Sequence, residues 1–245
     1  MPDDRLRFIG VVRSTVADRS QMPPLGAPAA VELDPAYADG LLRADKHSHF
    51  WILAWLMGRP ERDVLQVTPR GVDPTAPDAT HGVFAVRSPA RPNPIGLTAA
   101  KLLKLDGLRL EFDRLDFLDG TPVLDIKPYF VSRDAIFAAH SRAVGKPKSA
   151  EAMRESLWMQ AANFCGEDLS HPDIAVAVEL VAQYREQLLN LGEPEAWDIQ
   201  APANRPFLVT GLMGTTRARL GRGLTLHEAD ALTINGWSAL RDPNS

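Results

Sequence analysis

The sequence predicts a mainly β or α+β protein: a small antiparallel β-barrel or sandwich, followed by a C-terminal helical and mixed α/β extension. Three observations carry this. Seven or eight short apolar or alternating runs fall within roughly the first 130 residues, bounded by Gly, Pro and Asp-Gly turn signals. No βαβ alternation appears. After residue 145 the period changes to that of capped amphipathic helices. The boundary is therefore expected between 1–145 and 146–245.

Taken in order, "LRFIGVVR" (6–13) reads as a strand, and "STVADRSQMPPLGAP" (14–28) as irregular chain. "AAVELD" (29–34) alternates, and "PAYADGLLR" (35–43) fits one or two helical turns. "HFWILAWLM" (49–57) is a continuous apolar run, which predicts a strand buried on both faces. "RDVLQVTP" (62–69) and "HGVFAVRS" (81–88) read as strands. "LTAAKLLKL" (97–105) is a strand closed by the Asp106-Gly107 turn, with Leu108, Leu110 and Phe112 on one face of the next. A further turn, Asp119-Gly120-Thr121-Pro122, precedes a short strand ending near 130.

In the extension, "SAEAMRESLWMQAANFCG" (149–166) is a helix with Ser149 as N-cap, a stripe at Met153, Leu157, Ala161 and Phe164, and Gly166 as stop. "SHPDIAVAVELVAQYREQLLNLG" (170–192) is a second helix capped by Ser170, with a stripe at Ile174, Val178, Val181, Tyr184 and Leu188. "FLVTGLMG" (207–214) reads as a strand. "TLHEADAL" (225–232) reads as a short helix with a Thr225/Glu228 capping box.

Charge narrows the partners. The net charge is −4, so the whole molecule is not a polyanion binder. Residues 151–245 hold 7 Arg, no Lys and 13 acidic residues, whereas residues 1–150 carry a net +2. A nucleic-acid partner would have to use a local patch of the first part. Arg133, Arg142, Lys146, Lys148 and Arg154 against Asp134 and Glu151 form one such stretch. A single cysteine, Cys165, excludes an internal disulfide and belongs on the helix stripe. His47 and His49 by themselves are a weak metal signal, so no metal is expected. Without an apolar run of roughly 18 residues or an apolar N-terminal core, neither membrane nor export is expected, and the cytoplasm is.

Two stretches stand out chemically. In "RSPARPNPIG" (87–96), Pro89, Pro92 and Pro94 fix three φ angles and restrict the residues before them. The loop presents Arg87, Arg91 and Asn93. It is either a rigid surface corner or a preorganised edge for a carboxylate, phosphate or purine. In "LDGTPVLDIKPY" (118–129), Asp125 and Lys127 share a strand face beside a tight turn. Taken alone, this stretch reads better as a hairpin turn with a surface ion pair.

"GVFAVRSPARPNPIGL" (82–97) together with "LDGTPVLDIKPY" closely resembles the TsaA-like family of TrmO-type proteins, with "IGVVRS" (9–14) and "HSHFWIL" (47–53) in matching order. The resemblance covers about residues 5–140. It implies a β-barrel methyltransferase that uses S-adenosyl-L-methionine, forms homodimers and methylates N6 of threonylcarbamoyl-adenosine next to the anticodon of tRNA. It implies cofactor contacts at Arg87, Leu97, Arg19-Ser20-Gln21, His49-Phe50 and the turn Asp119-Gly120-Thr121-Pro122. Arg91, Asn93 and Lys127 are then candidates for the substrate. The exocyclic nitrogen must lose a proton, for which Asp119 and Asp125 are the candidate acceptors, Asp119 first. Two departures bear on the substrate. Val86 stands where the family usually has a small hydroxyl residue, and the extension is unlike the short C-terminal domain, with its Pro/Arg-rich ending, of the best-studied bacterial members. The resemblance therefore leaves open another RNA or a small molecule as substrate, or a module that binds the cofactor without catalysis.

Overall fold

The computed structural model describes residues 5–23, 26–56, 61–70, 72–136, 138–139 and 147–240. The expected boundary at 145/146, with Arg142 and Lys146, lies outside them. The chain forms two compact units, Met1–Pro69 with Thr80–His140 and Arg70–Ala79 with Ser141–Ser245.

The first unit contains β1 (Gly10–Ser14), β2 (Ala27–Leu33), β3 (His49–Trp55), β4 (Gln66–Val67), β5 (His81–Gly82), β6 (Ile95–Asp106), β7 (Arg109–Leu115), β8 (Pro122–Pro128) and the single-turn α1 (Val131–Asp134). Six of these strands close an antiparallel barrel in the order β1-β2-β7-β6-β3-β8, while β4 and β5 pair separately. Barrel thus prevails over sandwich. Alternation explains the closure: Val12, Val31, Phe50, Ile52, Leu110, Phe112, Leu115 and Val123 all point inward and are buried. β3 corrects the expectation of burial on both faces. Phe50, Ile52 and Ala54 are buried, but Trp51, Leu53 and Trp55 stay half-exposed on the outer wall. The runs 62–69 and 81–88 give only the two-residue strands β4 and β5, because tight turns take over after Gly82.

The second unit contains α2 (Ala150–Cys165), α3 (Pro172–Leu189), β9 (Ile199–Pro202), α4 (Pro206–Thr216), β10 (Arg219–Leu220), β11 (Gly223–His227), β12 (Leu232–Ile234) and β13 (Trp237–Leu240). Its sheet runs β10-β11-β9-β12-β13. Ser149 caps α2 by accepting from Ala152 N at 3.1 Å, as expected. The buried stripe is Met153, Leu157, Ala161 and Cys165, spaced by four. Phe164 falls off it and lies beneath the Arg219 guanidinium at 5.5 Å. Leu188 is likewise exposed. The cap of α3 is His171 rather than Ser170, with its Nδ1 accepting from Asp173 N.

Two further readings are reversed. Residues 207–214 are helix, not strand: an eight-residue apolar run fits either, and Pro206 at the first helical position decides it. Residues 223–227 are strand, so the Thr225/Glu228 box does not form; β11 instead pairs in parallel with β9.

Arg185 holds the end of α3. It is buried and donates to Gly192 O (2.7 Å), Leu191 O (2.8 Å) and Glu193 Oε1 (3.3 Å). These bonds fix a turn in which Asn190 and Leu191 both have positive φ, the latter +71°. Arg185→Ala orphans those acceptors and is expected to lower stability by about 2–4 kcal/mol, read from urea unfolding.

Candidate functional site

Cross-strand pairs share a face, which places most of the candidate residues. His49 pairs with Lys101, and Leu53 pairs with both Leu97 and Asp125. All are on the outer wall of β6-β3-β8. So are Ile95 and Leu97, which are 39% and 41% exposed, and Trp51, whose ring leans on Tyr129 at 5.4 Å. His49 lies four residues along the strand from the level of Leu97, about 13 Å. Burial holds its imidazole below the ordinary histidine range; Asp113 opposes this, while Lys101 and Arg114 reinforce it. Its Nδ1 is 2.9 Å from the Ser48 hydroxyl. His47 packs edge-on to Phe50 and Phe130. Phe50 points inward and packs edge-on to Phe112 at 6.3 Å. Its side chain is therefore not part of the outer wall.

Three connections meet at one end of the barrel. In the turn before β8, Asp119 N donates to Val16 O and Gly120 N to Val12 O, both at 2.9 Å. The Asp119 carboxylate accepts from Ser14 N at 3.0 Å. Gly120 has φ +77°, a value that favours glycine. Thr121 is buried and its hydroxyl donates to Leu118 O at 2.7 Å. Val16, Met22 and Ala27 pack together with Leu118 beside them. This apolar cluster brings the 3-10 turn Arg19–Gln21 next to the Asp119 turn. Asp18, which the sequence reading passed over, caps that turn by accepting from Ser20 N and Ser20 Oγ (2.7 and 2.8 Å), and these bonds hold its carboxyl below the ordinary range. The Asp-x-Ser spacing was its signal. The side chains of Arg19 and Gln21 are exposed and make no hydrogen bond among the described residues.

The third connection is the proline-rich loop. Leu56 N donates to Pro94 O at 2.7 Å, and Arg62 Nε to Pro92 O at 2.7 Å. Its three polar side chains differ. Arg91 donates to Val83 O (3.2 Å) and Ser88 O (3.1 Å), with Val86 O at 3.5 Å. Arg87 and Asn93 are exposed, and neither side chain has a partner among the described residues. The loop ends at Gly96 because β6 enters the core there. A Cβ on Gly96 would lie 2.5 Å from the Phe117 ring and 2.7 Å from Leu56. Gly96→Val is expected to cost about 1–3 kcal/mol, seen as a lowered thermal midpoint.

The two carboxylates are not equivalent. Asp125 accepts from Ile126 N at 2.9 Å through Oδ1 and meets Lys127 Nζ at 2.5 Å through Oδ2. Asp119 uses Oδ1 alone. Of the basic stretch, Arg154 is engaged by Glu179 and Glu186, and Arg133 stacks over the Phe130 ring at 5.3 Å.

The opposite end of the barrel is closed by the 3-10 segments of residues 35–46. There Tyr37, Arg43, His47, Phe50, Leu110 and Asp125 line a cavity of about 400 Å³. Among the described residues no helix is long and apolar enough to cross a membrane.

Residues 11–135 match the tRNA-methyltransferase O N-terminal domain. An Archaeoglobus fulgidus protein named "Probable S-adenosyl-L-methionine-binding protein" is 42% identical over 136 residues, which cover 54% of this chain and 36% of that relative. A Pseudomonas aeruginosa protein named "Putative S-adenosylmethionine-dependent methyltransferase RcsF" is 30% identical over 213 residues, 81% of this chain and 91% of that one. A Mus musculus protein named "tRNA (adenine(37)-N6)-methyltransferase" is 42% identical over 95 residues, 39% of this chain and 21% of that one.

Proposed function

The chain belongs to the tRNA-methyltransferase O N-terminal domain family, and from that premise we propose that it is a methyltransferase using S-adenosyl-L-methionine to modify N6 of an adenine in tRNA, with threonylcarbamoyl-adenosine beside the anticodon as the target. The observation that carries this is the exposed guanidinium of Arg87, without a partner among the described residues and held at the barrel rim within the matched stretch. The names of the Archaeoglobus, Pseudomonas and mouse relatives supply the cofactor and the base.

The residues present fit the cofactor. Arg87, without a partner among the described residues, supplies a cation for a carboxylate. Arg19, Gln21 and Asn93 supply free polar side chains at the same rim. The Asp119–Pro122 turn supplies backbone groups, and Leu97 an apolar wall. When bound, S-adenosyl-L-methionine supplies an electrophilic methyl group. The protein's task is then positioning, which can account for much of the rate in a displacement. Asp119 Oδ2 is unoccupied by any bond among the described residues, so Asp119 is the proposed acceptor of the amine proton. Both oxygens of Asp125 are already bonded, so its proposed part is to hold Lys127 on the wall. The half-exposed apolar wall of β6-β3-β8 is the proposed face of a homodimer, which would shelter the cofactor from water.

The acidic extension, net −6 over residues 151–245, supports a second reading with the same cofactor and a different RNA or a small molecule as substrate. One assay separates them. Bulk tRNA from a strain lacking the enzyme is incubated with the chain and methyl-labelled cofactor, then digested to nucleosides. Label in N6-methyl-threonylcarbamoyl-adenosine supports the first reading, and label in another RNA nucleoside or a small molecule the second. Cofactor binding without transfer to any pool would leave only a sensing module.

A further inference from the structure

We propose that Arg91 is a positioning residue: it touches neither cofactor nor RNA, but clamps residues 83–88 into the shape that presents Arg87. The two halves of the loop are held differently. Pro89, Pro92 and Pro94 fix the second half covalently, and Arg62 and Leu56 pin it through Pro92 O and Pro94 O. The first half has no proline between Val83 and Ser88. Its start is tied by Val83 N to Leu65 O at 3.0 Å and Ala85 N to Gly82 O at 2.9 Å, and at its end the Ser88 hydroxyl accepts from Ala90 N at 3.2 Å. The Arg91 guanidinium spans the stretch between. It reaches back to Val83 O, eight residues away, and to Ser88 O, three away. These two carbonyls bracket Arg87. A planar guanidinium can serve separated carbonyls at once, whereas the compact ammonium of lysine cannot match that fork. Half-buried and engaged in this way, Arg91 has its donors turned into the loop rather than outward. The clamp also preorganises Arg87, so less entropy is lost when a ligand binds.

That Arg87 meets the cofactor rests on the reading above; that Arg91 fixes the loop does not. The test therefore starts with hydrogen exchange on the unliganded, full-length chain. In Arg91→Ala, amides of residues 84–88 should exchange roughly ten-fold faster or more, with the barrel strands unchanged and Arg91→Lys in between. Unchanged exchange in Arg91→Ala overturns the proposal whatever the ligand. Two binding measurements follow. Arg91→Ala should weaken S-adenosyl-L-methionine binding roughly ten-fold, with partial rescue by lysine. The slope of log affinity for tRNA against log salt should not change. A slope smaller by about 0.7–0.9 would mean that Arg91 itself contacts a phosphate, and would refute the positioning role. If the wild-type chain binds no cofactor, the functional reading fails while the exchange result still decides Arg91.

Discussion

Arg87→Ala is expected to weaken S-adenosyl-L-methionine binding about 10- to 100-fold without lowering thermal stability. The side chain is exposed and makes no bond among the described residues, so the fold loses little with it. A hydrogen bond between charged partners contributes about 1.5–3 kcal/mol, which corresponds to that range of affinity. Arg87→Lys keeps the charge but loses the fork and should fall between. Isothermal titration reads the effect directly; equal affinities for wild type and Arg87→Ala would remove Arg87 from the pocket.

The largest expected loss of stability is at Phe112. Its ring is 1% exposed and forms the inward face of β7 against Phe50 of β3. Phe112→Ala should destabilise the barrel by about 3–5 kcal/mol, combining lost burial with the cavity left behind. The effect should reach the site, because Phe50 is the neighbour of His49 on the strand that forms the outer wall. Urea unfolding with intact m-values checks the magnitude, and cofactor titration of the folded fraction checks the link to the site. A loss below about 1 kcal/mol would mean the barrel interior is looser than a close-packed core.

The barrel was legible from its turns and alternation. Asp106-Gly107 marked the β6–β7 hairpin, and Leu110 with Phe112 marked the inner face. The 118–122 turn marked the start of β8 but closes no hairpin, since β8 pairs with β1 and β3 rather than β7. The extension was harder. An apolar run such as 207–214 has no period to separate a buried helix from a strand, and only Pro206 marked the difference. The strand at 223–227 was hidden because the Thr-x-x-Glu spacing of a capping box also occurs by chance. Asn235-Gly236, both with positive φ, gave a hairpin signal between β12 and β13 that the reading passed over.

At the candidate site, sequence patterning located the loops but not the commitments of their side chains. Arg87 and Arg91 are four residues apart in one motif, yet Arg87 has no partner among the described residues and Arg91 is bonded to its own loop. Asp119 is bonded through one oxygen and Asp125 through both. Such differences depend on where carbonyls and amides fall in space, which no residue spacing encodes.

The most direct test of the central claim is a crystal structure of the full-length chain with S-adenosylhomocysteine. Density against Arg87 and the Asp119–Pro122 turn, on the outer wall beside Leu97, is the predicted result. Density in the opposite cavity lined by Tyr37, Arg43 and His47, with the Arg87 loop untouched, would contradict it.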